Sequence, residues 1–174
     1  SIILIFSAGA FSCSEGKVVP EKSAEIVNPE IQPDQISSDV EVFFVDSTFT
    51  KAILYADTAK IYNDRKETYL IGSVKVRFFD DKHKGEVSVL TSDSAKIDDR
   101  TKDMLARGNV LVVSETRQTT IETSVLNWDN KNRKLYSTEY VKIVSPKETL
   151  EGYGFESDQT LSNYKIFTVK GESR

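Results

Sequence analysis

From about residue 40 onward, apolar positions recur every second residue. Val74, Val76 and Phe78 alternate with Lys75, Arg77 and Phe79, and Val87 and Val89 alternate with Glu86 and Ser88. That is the spacing of a strand with one sheltered and one wet face. No stretch in this region carries the spacing of a long amphipathic helix. Short polar clusters interrupt the alternation at 63–66, 98–102 and 129–133, all rich in residues that tolerate turn geometry. The pattern predicts antiparallel two-strand hairpins, repeated about four times, with a lead-in hairpin around Val40 to Phe49.

The hairpins are copies of one another. Asp57-Thr58-Ala59-Lys60-Ile61 followed by Gly72-Ser73-Val74-Lys75-Val76 returns 36 residues later as Asp93-Ser94-Ala95-Lys96-Ile97 followed by Gly108-Asn109-Val110-Leu111-Val112. A third, drifted copy starts near Thr123 and runs through Leu126 and Trp128; at an offset of 31, Val141 and Ile143 land on Val110 and Val112. A fourth, weaker copy runs from about Glu151 to Lys170. Repeats of this length mark stacked or rolled architectures, so the expectation is an all-β sandwich, roll or barrel.

Alternation within each unit predicts an inward set of Val74, Val76, Phe78, Val87, Val89, Ala95, Ile97, Val110, Val112, Leu126, Trp128, Val141, Ile143 and Phe155. In a closed sandwich these are ordinary core, each contributing about 1.5–3 kcal/mol by burial. In a roll left ajar the same residues would line an apolar trough. Periodicity does not separate the two.

The chain's start points to export. Residues 1–12 are small and apolar and lead into Cys13, the only cysteine. The stretch is too short to span a bilayer, which takes about 20 apolar residues, and reads as a signal-peptide remnant. Ala10-Phe11-Ser12-Cys13 resembles a bacterial lipobox, with Phe11 large for its place, and the expectation is a lipidated Cys13. Between residues 13 and 35 lie three of the four prolines, Pro20, Pro29 and Pro33, the composition of an extended tether reaching on the order of 25 Å. One folded domain over residues 36–174 remains, a size that supports a single core.

Composition excludes several functions. The net charge is −4 with mixed signs along the chain, so no basic stripe follows a phosphate backbone and nucleic acid is not an expected partner. One histidine, His83, and one cysteine leave no zinc set and no nucleophile-base pair with a second His in reserve. Asp57 and Asp93 are the remaining acids with a pattern, and paired acids suffice for glycoside chemistry. They recur with the repeat, however, as strand-end acceptors would. No catalytic residue, metal or cofactor is assigned, and the chain is not read as an enzyme.

The residues Ala56-Asp57-x-Ala59-x-Ile61, a charged turn, then Gly72-x-Val74-x-Val76 resemble the OstA-like repeat of the lipopolysaccharide-export proteins LptA and LptC. The closing Gly152-x-Gly154-Phe155-x-x-Asp158 resembles the last unit of LptC-type chains. A single membrane-anchored domain of this length is closer to that type than to soluble LptA. The resemblance covers about residues 50 to 170. It implies an antiparallel β-jellyroll, open along one side, whose apolar interior holds lipopolysaccharide acyl chains. It also implies a place in the periplasm on the inner membrane, with an LptA-like protein and an inner-membrane ABC transporter as partners. LptC-type proteins usually carry an amino-terminal transmembrane helix, and here the lipidated Cys13 stands in its place. Tyr164, Ile166, Phe167 and Val169 alternate on the last strand without a proline, an edge suited to accepting a partner's strand over Leu161 to Lys170. A membrane-anchored β-module that binds proteins rather than lipid uses the same anchor, tether and alternation.

Overall fold

The structure, a computed structural model, describes residues 32–80 and 85–169, so Cys13, His83 and Lys170 lie outside it. Among the described residues nine strands follow one another in a single antiparallel sheet, each paired only with its neighbours in sequence. They are β1 (Gln35–Asp46), β2 (Phe49–Tyr62), β3 (Glu67–Asp80), β4 (Gly85–Asp98), β5 (Met104–Ser114), β6 (Thr119–Asp129), β7 (Lys134–Val144), β8 (Thr149–Asp158) and β9 (Tyr164–Val169). The lead-in is therefore not a hairpin of its own. β1 begins at Gln35, and the turn after Asp46 leads straight into the long β2.

β1 to β8 are bent rather than short, and the repeat explains the bend. Between Tyr55↔Lys75 and Thr58↔Ile71, β3 carries one residue more than β2. β5 carries one more than β4 between Thr91↔Leu111 and Ser94↔Arg107, and β7 one more than β6 between Thr123↔Val141 and Asn127↔Tyr136. An extra residue in one strand of a pair kinks it and sharpens its twist. Three such bulges in register make a corner running across the sheet.

At the first two corners the backbone turns left-handed over two residues, Gly72 (φ 78°) with Ser73 (φ 45°), and Gly108 (φ 76°) with Asn109 (φ 43°). Glycine is required there twice over. It tolerates the φ, and a Cβ on either would collide with the carboxylate of Asp57 or Asp93 on the preceding strand. Asn109 Nδ2 also donates to Asp93 Oδ2 at 2.8 Å. The recurring Asp and Gly are thus the two halves of a corner, and both aspartates are exposed.

The corners let the sheet roll onto itself. Trp128 of β6 meets Phe44 of β1 and Phe78 of β3 edge to face, with ring centroids 5.0 and 5.1 Å apart, although none of these strands are neighbours in the sheet. Around them, inward rows from every strand but the short β9 form one buried cluster. Leu54, Leu70, Leu90, Ile121, Leu126, Leu135 and Ile143 are fully buried in it.

One frame differs from simple alternation. Phe78 pairs with Ser88 but Phe79 with Glu86, a register shift that leaves Val87 out of the ladder. Beyond it Ser88 and Leu90 are buried. Val89 shares the outer face with its partners Arg77 and Val113 and is only half-buried. The inward placement of Val89 is corrected accordingly, because one extra residue moves every later side chain to the other face.

Candidate functional site

Of the expected inward set, Val74, Val76, Phe78, Val87, Ala95, Ile97, Val110, Val112, Leu126, Trp128, Val141, Ile143 and Phe155 all lie in the buried cluster. Most of them close on one another: Val76, Phe78, Val112, Leu126, Val141, Ile143 and Phe155 have no exposed surface, and Trp128 has 1%. The open apolar space lies elsewhere. A cavity of about 450 Å³ lies between β1, β2 and β4, with Val40, Val42, Phe44, Ala59, Ile61 and Ile97 on its apolar side. Only Ile97 of the expected set lines it.

The cavity follows from the local sequence. Gln35↔Ile61, Ile61↔Thr68 and Thr68↔Ile97 are successive partners in one inward row. Ser37↔Ala59, Ala59↔Leu70 and Leu70↔Ala95 form the next. Alanine at 59 and 95 keeps that second row low. β1 meanwhile turns left-handed at Asp39 (φ 51°), and Val40 and Val42 remain only partly buried against the core. Alternation marks Val40 to Phe49 as a lead-in hairpin, but nothing in its period shows that small residues opposite leave a gap.

One rim of the cavity is polar and charged. Asp99, Lys102 and Asn130 border it. Asp99 accepts from Thr68 Oγ1 at 3.0 and 3.1 Å and lies 3.8 Å from Lys102 Nζ. Asn130 is held by its backbone, whose N–H donates to Asp103 and whose carbonyl accepts from the nine-tenths buried Lys51 at 3.3 Å. The Asn130 side-chain oxygen is buried and has no hydrogen-bond partner among the described residues. On the neighbouring turn, the Arg100 guanidinium, aided by the backbone amides of Arg100 and Thr101, holds the Asp98 carboxyl down to about 2. The site therefore offers a dry slot with a polar margin, a shape suited to an amphiphile.

The opposite flank is shut. The β8–β9 turn folds onto the far ends of β3 to β5. Ser88 Oγ donates to the Gln159 carbonyl at 2.6 Å, Gln159 Nε2 donates to the Phe79 carbonyl at 2.8 Å, and Ser114 Oγ donates to the Val87 carbonyl at 2.8 Å. Leu161, at φ 56°, is 2% exposed and fills the interior there. Asp158 organises the turn. Burial pushes its carboxyl up, but hydrogen bonds from the Thr160 hydroxyl, the Asn163 amide and the backbone of Ser162 and Thr160 outweigh this, and the net shift is downward.

β9 pairs with β8 alone. Phe167 and Val169 are 61% and 54% exposed, while Tyr164 and Ile166 are half-buried against the core. The expected contact segment narrows, since Leu161 is a buried turn residue and the strand starts at Tyr164. β1 is the other edge and exposes Ile36, Phe43 and Val45. Among the described residues no group of His, Cys, Asp and Glu converges as a metal site, and no helix is long and apolar enough to cross a membrane.

Comparison with known proteins adds an independent line. The family model described as "Lipopolysaccharide-assembly, LptC-related" matches residues 1–172. Among solved structures, the chain is similar to the crystal structure of LptH from Pseudomonas aeruginosa, described as the LptA homologous periplasmic component of the conserved lipopolysaccharide transport device. The two share 12% identity at a TM-score of 0.50, over 82% of this chain and 87% of that one. This likeness bears out the all-β jellyroll fold. No curated protein matches the chain.

Proposed function

The chain belongs to the LptC-related family of lipopolysaccharide-assembly proteins, and from that premise we propose that it holds lipid acyl chains in the cavity beneath β1 and passes them to a partner domain of the same fold in the periplasm. The observation that carries this reading is the cavity itself. At about 450 Å³ it falls within the range of about 300–1,000 Å³ typical of small-molecule sites. Its apolar wall and its polar rim match the two ends of an amphiphile.

The mechanism is passive. Each acyl methylene in water costs about 0.8 kcal/mol relative to an apolar surrounding, and a chain seated among Val40, Val42, Phe44 and Ile97 escapes that cost. The protein lowers the barrier to crossing an aqueous space without making or breaking a bond. Direction comes from an energy source outside the domain, an inner-membrane ABC transporter in this reading. The exposed apolar edge at Phe167 and Val169 accepts a partner's strand by main-chain pairing, with an LptA-like protein as the occupant. Acylation of Cys13 keeps the domain at the membrane while the segment up to Gln35 serves as its tether.

A photo-crosslinking amino acid placed at Ile61, inside the cavity, should trap lipopolysaccharide, and the same group at Val89 on the outer face should not. Equal trapping at the two positions, or none at Ile61, contradicts the lipid role. Crosslinkers at Lys165 or Phe167 test the edge separately, and failure along the whole strand contradicts the hand-off. The tightly closed core around Trp128 favours a second reading, a membrane-anchored module that binds proteins only. It predicts edge crosslinks without lipid adducts.

A further inference from the structure

The third corner departs from the other two, and a depression lies there. In the first and second corners an aspartate, Asp57 or Asp93, packs against the left-handed glycine of the next strand. In the third, the position across the β5 and β7 bulges is Ser124, a short exposed side chain. Thr138 and Glu139 stand where glycine and its successor would be. That corner is built instead by Ser137, whose hydroxyl donates to the Val125 carbonyl at 2.6 Å and accepts from the Glu139 amide at 3.1 Å. Beside Ser124 lies a depression of about 510 Å³, lined by Asn109, Leu111, Glu122, Ser124, Tyr140 and Lys142 among others.

The lining mixes one aromatic ring with acceptors and donors. Leu111, Glu122 and Lys142 are successive cross-strand partners on the outer face, the side of the sheet away from the lipid cavity's apolar wall. Tyr140 is 37% exposed, yet its ring is fixed. Its hydroxyl donates to Glu151 at 2.6 Å, and it meets Tyr153 edge to face at 5.5 Å. A tyrosine held in advance presents contact area at small entropic cost. The carboxylate of Glu122, the ammonium of Lys142 and the hydroxyl of Ser124 stand round it as hydrogen-bonding groups.

We propose that this depression is a saccharide-binding site, in which a sugar ring lies on Tyr140 and a ring hydroxyl occupies the place that the aspartate carboxylate holds in the other two corners. Charge decides for a neutral, hydroxyl-rich unit over an acidic one. Glu122 borders the depression, and Glu151 holds Tyr140 and lies 3.8 Å from Lys142, so the cation that lines it is already shared. The site stands apart from the acyl cavity and does not depend on lipid being bound.

The test is to titrate the isotope-labelled full chain with maltotetraose, chitotetraose and the delipidated oligosaccharide of a lipopolysaccharide, following backbone amide shifts. Saturable shifts confined to residues 109–111, 122–124 and 140–142 are expected with at least one of these probes. Tyr140→Ala should weaken binding by up to about tenfold, and Tyr140→Phe should retain most of it. Ser124→Asp, which returns the carboxylate of the other corners, should abolish it. Near-ultraviolet circular dichroism and Tm of each variant report whether the fold is kept. No localised shifts with any probe overturns the proposal, as does binding unchanged in a folded Ser124→Asp or Tyr140→Ala variant.

Discussion

At the β9 flank the turn 159–163 drives Leu161 into the core and ties itself down through Ser88 and Gln159. At the β1 flank the strand crosses Ala59, Ile61 and Ile97 and leaves about 450 Å³ between. Among the described residues both flanks end in a strand edge with no further partner, and both roll onto the same core by the same corners. The difference lies in what the chain places inside each edge: a large apolar side chain in a hydrogen-bonded turn on one, small side chains under a half-buried strand on the other. A repeated unit therefore builds the roll, and what packs inside its first and last strands decides which side is open.

The largest effect should come from unsealing the closed flank. Leu161→Ala removes a fully buried side chain and should cost about 2–5 kcal/mol in chemical denaturation, while lipid trapping at Ile61 stays unchanged. If trapping falls as much as stability does, the two flanks are not separate. Gln159→Ala strips the Phe79 carbonyl of its buried donor and should cost about 1–3 kcal/mol by the same measurement. Filling the open flank should do the reverse. Ala59→Phe should lower lipid affinity about tenfold or more, equivalent to about 1.4 kcal/mol, with a smaller loss in Tm than Leu161→Ala.

The smallest effect concerns acid. Asp98 and Asp158 both have carboxyls held below their ordinary range in the fold. A depressed folded value means that their contribution is fully present above the unfolded value and is lost as pH falls toward the folded one. For Asp98 that window runs from 3.8 down to about 2. Asp98→Asn, in the turn beside the open flank, and Asp158→Asn, in the sealing turn, should each flatten the fall in Tm across the acid range. A slope unchanged in both variants would assign the acid sensitivity to other groups.

The comparison also shows what a sequence exposes. The Asp-to-Gly repeat, the polar turns and the inward positions from Val74 to Phe155 are legible because period and offset record them directly. Val89 was misplaced because a bulge at Val87 leaves no mark in an alternating run. Gln35 to Asp39 did not read as strand, since Ser37, Ser38 and Asp39 carry little β-propensity, and Ser37 and Ser38 are ordered by pairing with β2. Leu161 lies among turn residues, where burial is not expected. The cavity was illegible for a different reason: it depends on a small side chain at Ala59 beside β1, and alternation counts it as core like any other apolar residue.

Trp128 offers the most direct measurement, because it is the only tryptophan and meets Phe44, which lines the cavity, edge to face at 5.0 Å. Lipopolysaccharide or a fatty acid carrying bromine on its acyl chain should quench Trp128 saturably in the native full chain, and Ala59→Phe should remove that quenching while leaving the emission itself unchanged. Absence of quenching at saturating lipid, or equal quenching in the filled variant, would contradict an acyl chain seated beneath β1.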